Sequence, residues 1–154
     1  MNVLIVYGTQ FGTTEHLAYV LASALEPEHQ VRVARTDESR ELSGDHIDLL
    51  LVGSPTQFHG LRLLVRPFLS GLRAHGFRGV PAAAFDTRGE GPVKNTGSEA
   101  EMISQRLASQ GCRVIAPPES FVVADYKGPL ARGEEQRARD WVREVARAAQ
   151  PVTA

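Results

Sequence analysis

The chain has 154 residues, with seventeen lysines and arginines against eighteen aspartates and glutamates, for a formal charge of −1. That length fits one domain whose core stands without disulfides or metals, and the near-neutral charge excludes a global field that recruits nucleic acid or an acidic membrane. A hydrophobic fraction of 42% and a charged fraction of 23% exclude the disordered, collagen-like and coiled-coil classes.

The elements follow in order. Val3, Leu4, Ile5 and Val6 form a continuous apolar run with β-branched residues, as in a strand buried on both faces of a parallel sheet. It ends at Tyr7 and Gly8. The run is about five residues, far short of a signal core or a membrane span. Leu17, Val20, Leu21, Ala24 and Leu25 then recur at helical spacing and give a helix with one apolar face. The polar loop between them, Thr9 to Thr14, brings backbone N–H groups and hydroxyls to one spot beside the partly positive helix N-terminus, which suits a phosphate. Pro27 ends the helix. Val31 to Ala34 reads as a second strand, and its alternation with Arg32 and Arg35 predicts an edge position.

Asp37 to Leu42 is a polar connection, and Asp48 to Gly53 a third, fully buried strand. Ser54 to Gly60 is a second candidate binding loop, marked by Pro55 and Gly60. Leu61, Leu64, Val65, Phe68, Leu69 and Leu72 predict a helix that Pro67 kinks or splits. Val80 to Phe85 is a fourth strand rich in small residues. Asp86 to Gly97 has no apolar period and is a third loop. Ser98 with Glu101 forms a capping box that opens a helix running to Gly111. Cys112 to Ile115 and Phe121 to Val123 read as one final strand interrupted by Pro117 and Pro118. Tyr126 to Gly133 is a turn-rich link, and Ala138, Trp141, Val142, Val145 and Ala149 stripe the last helix, with Trp141 in the core.

Strand and helix thus alternate through a single domain over residues 1–150, with 151–154 as a tail. The pattern predicts an α/β fold with a doubly wound parallel sheet and right-handed crossovers. In such sheets ligands sit beyond the carboxyl ends of the strands, where strand order reverses. All three loops follow strand ends and can converge there. Cys112 is the only cysteine, so no internal disulfide and no paired-thiolate metal site is possible, and a reducing cytoplasm is the expected location.

Several phosphate-binding folds fail on residues. There is no G-x-x-x-x-G-K-[ST] after the first strand, so no P-loop lysine. The first turn carries hydroxyls where a dinucleotide fingerprint needs glycines. A receiver-type phosphoacceptor needs carboxylates where Tyr7 and Gly8 stand. No nucleophile elbow appears, and no histidines have metal-ligand spacing.

What remains resembles the flavodoxin family: Ile5, Val6, Tyr7, Thr9, Gly12, Thr14, Ala18 and Leu21 stand at the spacing of that family's signature, and GTQFGTTE also looks like the FMN domains of diflavin reductases. The resemblance implies a flavodoxin-like doubly wound five-stranded parallel sheet of order 2-1-3-4-5 with helices on both faces, and FMN as cofactor. Thr9, Gln10, Phe11, Gly12, Thr13 and Thr14 would hold the FMN phosphate. Phe11 departs from the hydroxyl residue common there and offers only its amide.

By the same resemblance Pro55, Thr56, Gln57, Phe58, His59 and Gly60 would touch ribityl and isoalloxazine. Phe58 is either a ring-stacking residue or a loop residue tucked into the core. His59 either moves protons near the flavin or is an ordinary solvated histidine. Asp86, Thr87, Arg88 and Gly89 would line the other side, where flavodoxins usually carry an aromatic residue and this loop has none. Arg88 either favours a reduced, anionic flavin or is a surface residue.

The implied function is a short-chain flavodoxin-type electron carrier between a reductase and an acceptor protein, with no catalytic side chain and no metal. Two alternatives remain at this point: an FMN-dependent oxidoreductase acting on a quinone-like small molecule at an open flavin face, and a flavodoxin-fold binding or regulatory module without flavin.

Overall fold

In the computed structural model, residues 1–56, 64–91, 98–125 and 127–151 are described. The apolar run at the start forms β1 (Asn2–Tyr7), in which every residue from Val3 onward is buried. The striped segment forms α1 (Thr13–Leu25), and β2 (Gln30–Arg35) returns beside β1. A 3-10 turn at Thr36–Glu41 leads on to β3 (Leu49–Pro55), which is buried throughout. Then come α2 (Arg66–Ser70), β4 (Pro81–Arg88), α3 (Glu99–Ser109), β5 (Arg113–Val114), β6 (Glu119–Val122) and α4 (Glu134–Ala149).

All the strand pairs of the sheet are parallel, in the order β2-β1-β3-β4-β5, with β6 on β4 beside β5. β2 stands at an edge, as its arginines predict. β5 pairs with Pro81 and Ala82, and β6 pairs with Phe85 to Arg88. The final strand is therefore one edge position broken in two by Pro117 and Pro118, because proline has no N–H to give the ladder. The sheet has six strands by count and five positions by order.

Side-chain alternation along each strand divides the core into two layers. Val3, Ile5 and Tyr7 of β1 pack with α1 and α4, whereas Leu4 and Val6 pack with Phe68, Leu69, Ile103 and Leu107 of α2 and α3. Both faces are thus covered, as a parallel sheet requires. Burial of each large core side chain contributes about 1.5–3 kcal/mol. Trp141 is half in this core: its indole meets Phe85 and Phe121 edge to face, with centroids 6.2 and 5.6 Å away.

Three sequence expectations are corrected. β3 runs on through Ser54 and Pro55, and β4 runs through Asp86, Thr87 and Arg88, all assigned to loops by composition. The reason is strand pairing: Ser54 and Pro55 oppose Asp86 and Thr87, while Asp86 to Arg88 also pair with Ser120 to Val122. The helix expected over Leu61–Leu72 is short in its described part, Arg66–Ser70, and Pro67 sits in its first turn. There the missing N–H has no intrahelical partner to lose, so the proline starts the helix and does not kink it. Leu61 lies outside the described residues.

Candidate functional site

β1 carries the chain up the middle of the sheet to Tyr7, and the Gly8 N–H then donates to the carbonyl of Gly53 at 3.0 Å. A Cβ on Gly8 would stand 2.8 Å from that of Leu64, so the chain passes close beneath that segment. The next residues reverse at Gly12, whose φ of +88° lies in the left-handed region that favours glycine. Thr9 Oγ1 accepts from the Gly12 N–H at 3.0 Å and closes the turn. The Gly12 carbonyl accepts from His16 N at 2.9 Å and opens α1.

Among the described residues no side chain caps α1. The N–H groups of its first turn, with the positive end of the helix dipole, therefore face the loop. Thr13 and Thr14 lie in that turn. Thr14 is buried, and its Oγ1 meets Thr87 Oγ1 at 2.9 Å, which ties α1 to β4 beneath the loop. Tyr7, buried at the strand end, donates its hydroxyl to Glu15 of the same turn. Burial, then that carboxylate, push the Tyr7 phenol well above its usual range, so it stays protonated.

A cavity of about 350 Å³ opens at this end of the sheet. Thr9, Gln10, Phe11, Thr13 and Thr14 form one wall, and Pro55 and Thr56 the next. Thr87, Arg88 and Gly89 form a third wall, together with Glu90. The fourth is Val123, Ala124 and Asp125, just beyond β6. The cavity lies beyond the carboxyl ends of β1 and β3, between which the strand order reverses, the position where open α/β sheets take their ligands. Its size is within the usual range for small-molecule sites, about 300–1,000 Å³.

Ten of the sixteen residues singled out in the sequence meet at this cavity. Gly12 shapes the turn but is not in the lining, and Gln57, Phe58, His59 and Gly60 lie outside the described residues. Asp86 is fully buried behind the wall. Its Oδ2 accepts from Thr56 Oγ1 at 2.9 Å, Ser98 Oγ at 3.1 Å and the Ala100 N–H at 2.9 Å. Thr56 Oγ1 in turn accepts from the Glu99 N–H at 2.9 Å, and Ser98 caps α3 by accepting from Glu101 N. One carboxylate thus joins the loop after β3 to the start of α3, where the helix dipole favours a negative charge. Arg88 is half-buried and its Nη1 donates to the Gly91 carbonyl at 2.7 Å.

Glu90, Val123, Ala124 and Asp125 were missed in the sequence. The strand-end rule that marked the first three loops applies equally to the end of the last strand, and would have found the fourth wall. A further contact lies at this corner: Thr13 Oγ1 donates to the Lys127 carbonyl at 3.3 Å, and the Lys127 ammonium sits 5.4 Å from the centroid of the Phe11 ring.

No protein-family model matches the chain, and no curated protein matches it in sequence. Solved structures do match in shape. A flavodoxin from the domain Archaea superposes with a TM-score of 0.77 at 20% identity, over 97% of this chain and 99% of that one. Oxidised flavodoxin 1 from Bacillus cereus gives 0.79 at 17% identity, over 96% and 98%. The rubredoxin oxygen:oxidoreductase of Desulfovibrio gigas gives 0.69 at 20% identity, over 96% of this chain but 36% of that larger one. Sheet order, helix placement and these superpositions agree that the chain has the flavodoxin-like fold over nearly its whole length.

Proposed function

We propose that the protein binds FMN in this cavity and carries electrons between redox partners. The observation that carries the reading is the join of an uncapped helix N-terminus and a hydroxyl-bearing turn to a cavity at the strand-order reversal. The donor set fits the group. Thr9, Thr13 and Thr14, with the first-turn N–H groups, suit a phosphate, and an anion gains from the dipole there. Phe11, Pro55, Val123 and Ala124 give the apolar body that a flat heterocycle needs, and Thr56 and Thr87 add polar groups to the lining. The structures it resembles include proteins named flavodoxins, which supports the cofactor.

Bound FMN would supply the redox chemistry; the protein supplies binding, orientation and electrostatics. The Thr9–Gly12 turn would hold the phosphate end, and the Asp86 clasp fixes Thr56 relative to α3.

The carrier reading predicts that FMN-loaded, chemically reduced protein passes its electrons to a one-electron protein acceptor, followed by flavin absorbance in stopped flow. Rapid turnover of a quinone with NAD(P)H by the pure protein would instead assign it to enzyme chemistry.

A further inference from the structure

Phe11 and Thr13 line the cavity, and beside them stands Lys127, which has no assigned role in the reading above. This corner is built closely. Gly128 has a φ of +93°, and a Cβ there would stand 2.3 Å from Thr13 Oγ1. The segment carrying Lys127 is therefore pressed against the first turn of α1, and the Thr13 hydroxyl bond to the Lys127 carbonyl fixes its register. The Lys127 ammonium then lies over the Phe11 ring, an arrangement that the ring quadrupole favours. Phe11 lines the cavity within the turn read as the phosphate end. The position where a hydroxyl would be expected thus bears a ring, and the ring holds a cation.

The charges around this corner set what the cation can do. Glu15 is hydrogen-bonded to Tyr7, and Arg88 is bonded to Gly91 on another wall. Glu90 and Asp125 bring negative charge to the cavity rim, which disfavours a dianionic ligand. Lys127, carried on the fourth wall's own segment, offsets that repulsion at the turn.

We propose that Lys127 is a specificity-determining residue, supplying the positive charge that selects a phosphate-bearing flavin over the phosphate-free form of the same ring system. The proposal rests on the FMN reading and deepens it. A phosphate monoester carries close to two negative charges at neutral pH. Lys127 is exposed, so water and salt weaken the attraction and the expected effect is modest, about fivefold in affinity.

The test titrates FMN and riboflavin separately into wild type, Lys127→Gln and Lys127→Arg by quenching of flavin fluorescence. The Gln variant is expected to bind FMN about fivefold more weakly with riboflavin affinity unchanged, and Arg is expected to restore FMN binding. Added salt is expected to weaken FMN binding to wild type more than to Lys127→Gln. Unchanged FMN affinity in Lys127→Gln, or an equal loss for both flavins, overturns the role of Lys127 while leaving the FMN reading in place. Wild type that binds neither flavin overturns both.

Discussion

Asp86→Ala is expected to lower the unfolding free energy by about 4 kcal/mol, the sum of a few buried hydrogen bonds left without their acceptor. Asp86 is fully buried at the end of β4, and one of its oxygens accepts from Thr56, Ser98 and the Ala100 N–H. Alanine leaves two hydroxyls and a helix-terminal N–H facing a small void. For a chain of this size the fall in Tm is roughly 10 °C, at about 2–4 °C per kcal/mol. Asp86→Asn keeps an acceptor but loses the charge that strengthens these bonds at the start of α3, so about half the loss is expected. The other oxygen, Asp86 Oδ1, and the neighbouring Ser54 Oγ are buried and have no partner among the described residues. Urea unfolding of the three proteins checks the order. Equal stability of wild type and Asp86→Ala would show that the clasp holds nothing.

Gly53→Ala is expected to cost about 3 kcal/mol by overpacking, at the upper end for an inserted carbon. Gly53 lies in register between Tyr7 of β1 and Phe85 of β4. A Cβ there would stand 2.1 Å from Phe85 Cε2 and 2.2 Å from Cζ. The far end of a ring moves cheaply only when space exists, and Phe85 is fully buried with Trp141 against it. The strain also reaches the site, because the Gly53 carbonyl anchors the Gly8 N–H at the start of the turn. The variant is therefore expected to lose flavin affinity along with stability, read by thermal unfolding with and without FMN. A Gly53→Ala protein as stable as wild type would mean that the Phe85 ring has room that the packing does not show.

Much of the fold and ten of the fourteen residues that line the candidate site could be read from residues alone, for reasons that differ by element. β1 and α1 are fixed by local pattern: an unbroken apolar run, then a stripe at helical spacing. The turn between them is fixed by glycine and hydroxyl chemistry, so Thr9, Thr13 and Thr14 stand where expected around the cavity. The end of β4 was not readable locally. Asp86, Thr87 and Arg88 are polar and stand beside Gly89, yet pairing with β6, and for Asp86 and Thr87 with β3 as well, overrides that composition. Asp86 consequently faces α3 and not the cavity, a tertiary fact that no spacing encodes. The fourth wall follows from the same strand-end rule, since Val123 and Ala124 stand at the end of the last strand, but its closeness to the turn is a tertiary fact, shown by Gly128 and Lys127 against Thr13. Pro67 shows the converse limit: its position was evident, but whether it kinks or starts a helix depends on which residues precede it in helical form.

The turn from Thr9 to Thr14 and the cavity it borders are proposed to hold FMN. One equilibrium titration tests this most directly: FMN added to wild type and to Thr14→Val, followed by fluorescence quenching, with unfolding measured on the same samples. FMN binding in the cavity predicts a saturable titration with one FMN per chain of wild type. It predicts a loss of about tenfold, near 1.4 kcal/mol, in Thr14→Val. The variant is expected to lose less, about 1 kcal/mol, in stability, from the missing Thr87 partner. Absence of quenching and of bound-flavin absorbance in wild type would contradict the claim outright, and equal affinity in the two proteins would remove the Thr14 hydroxyl from the phosphate site.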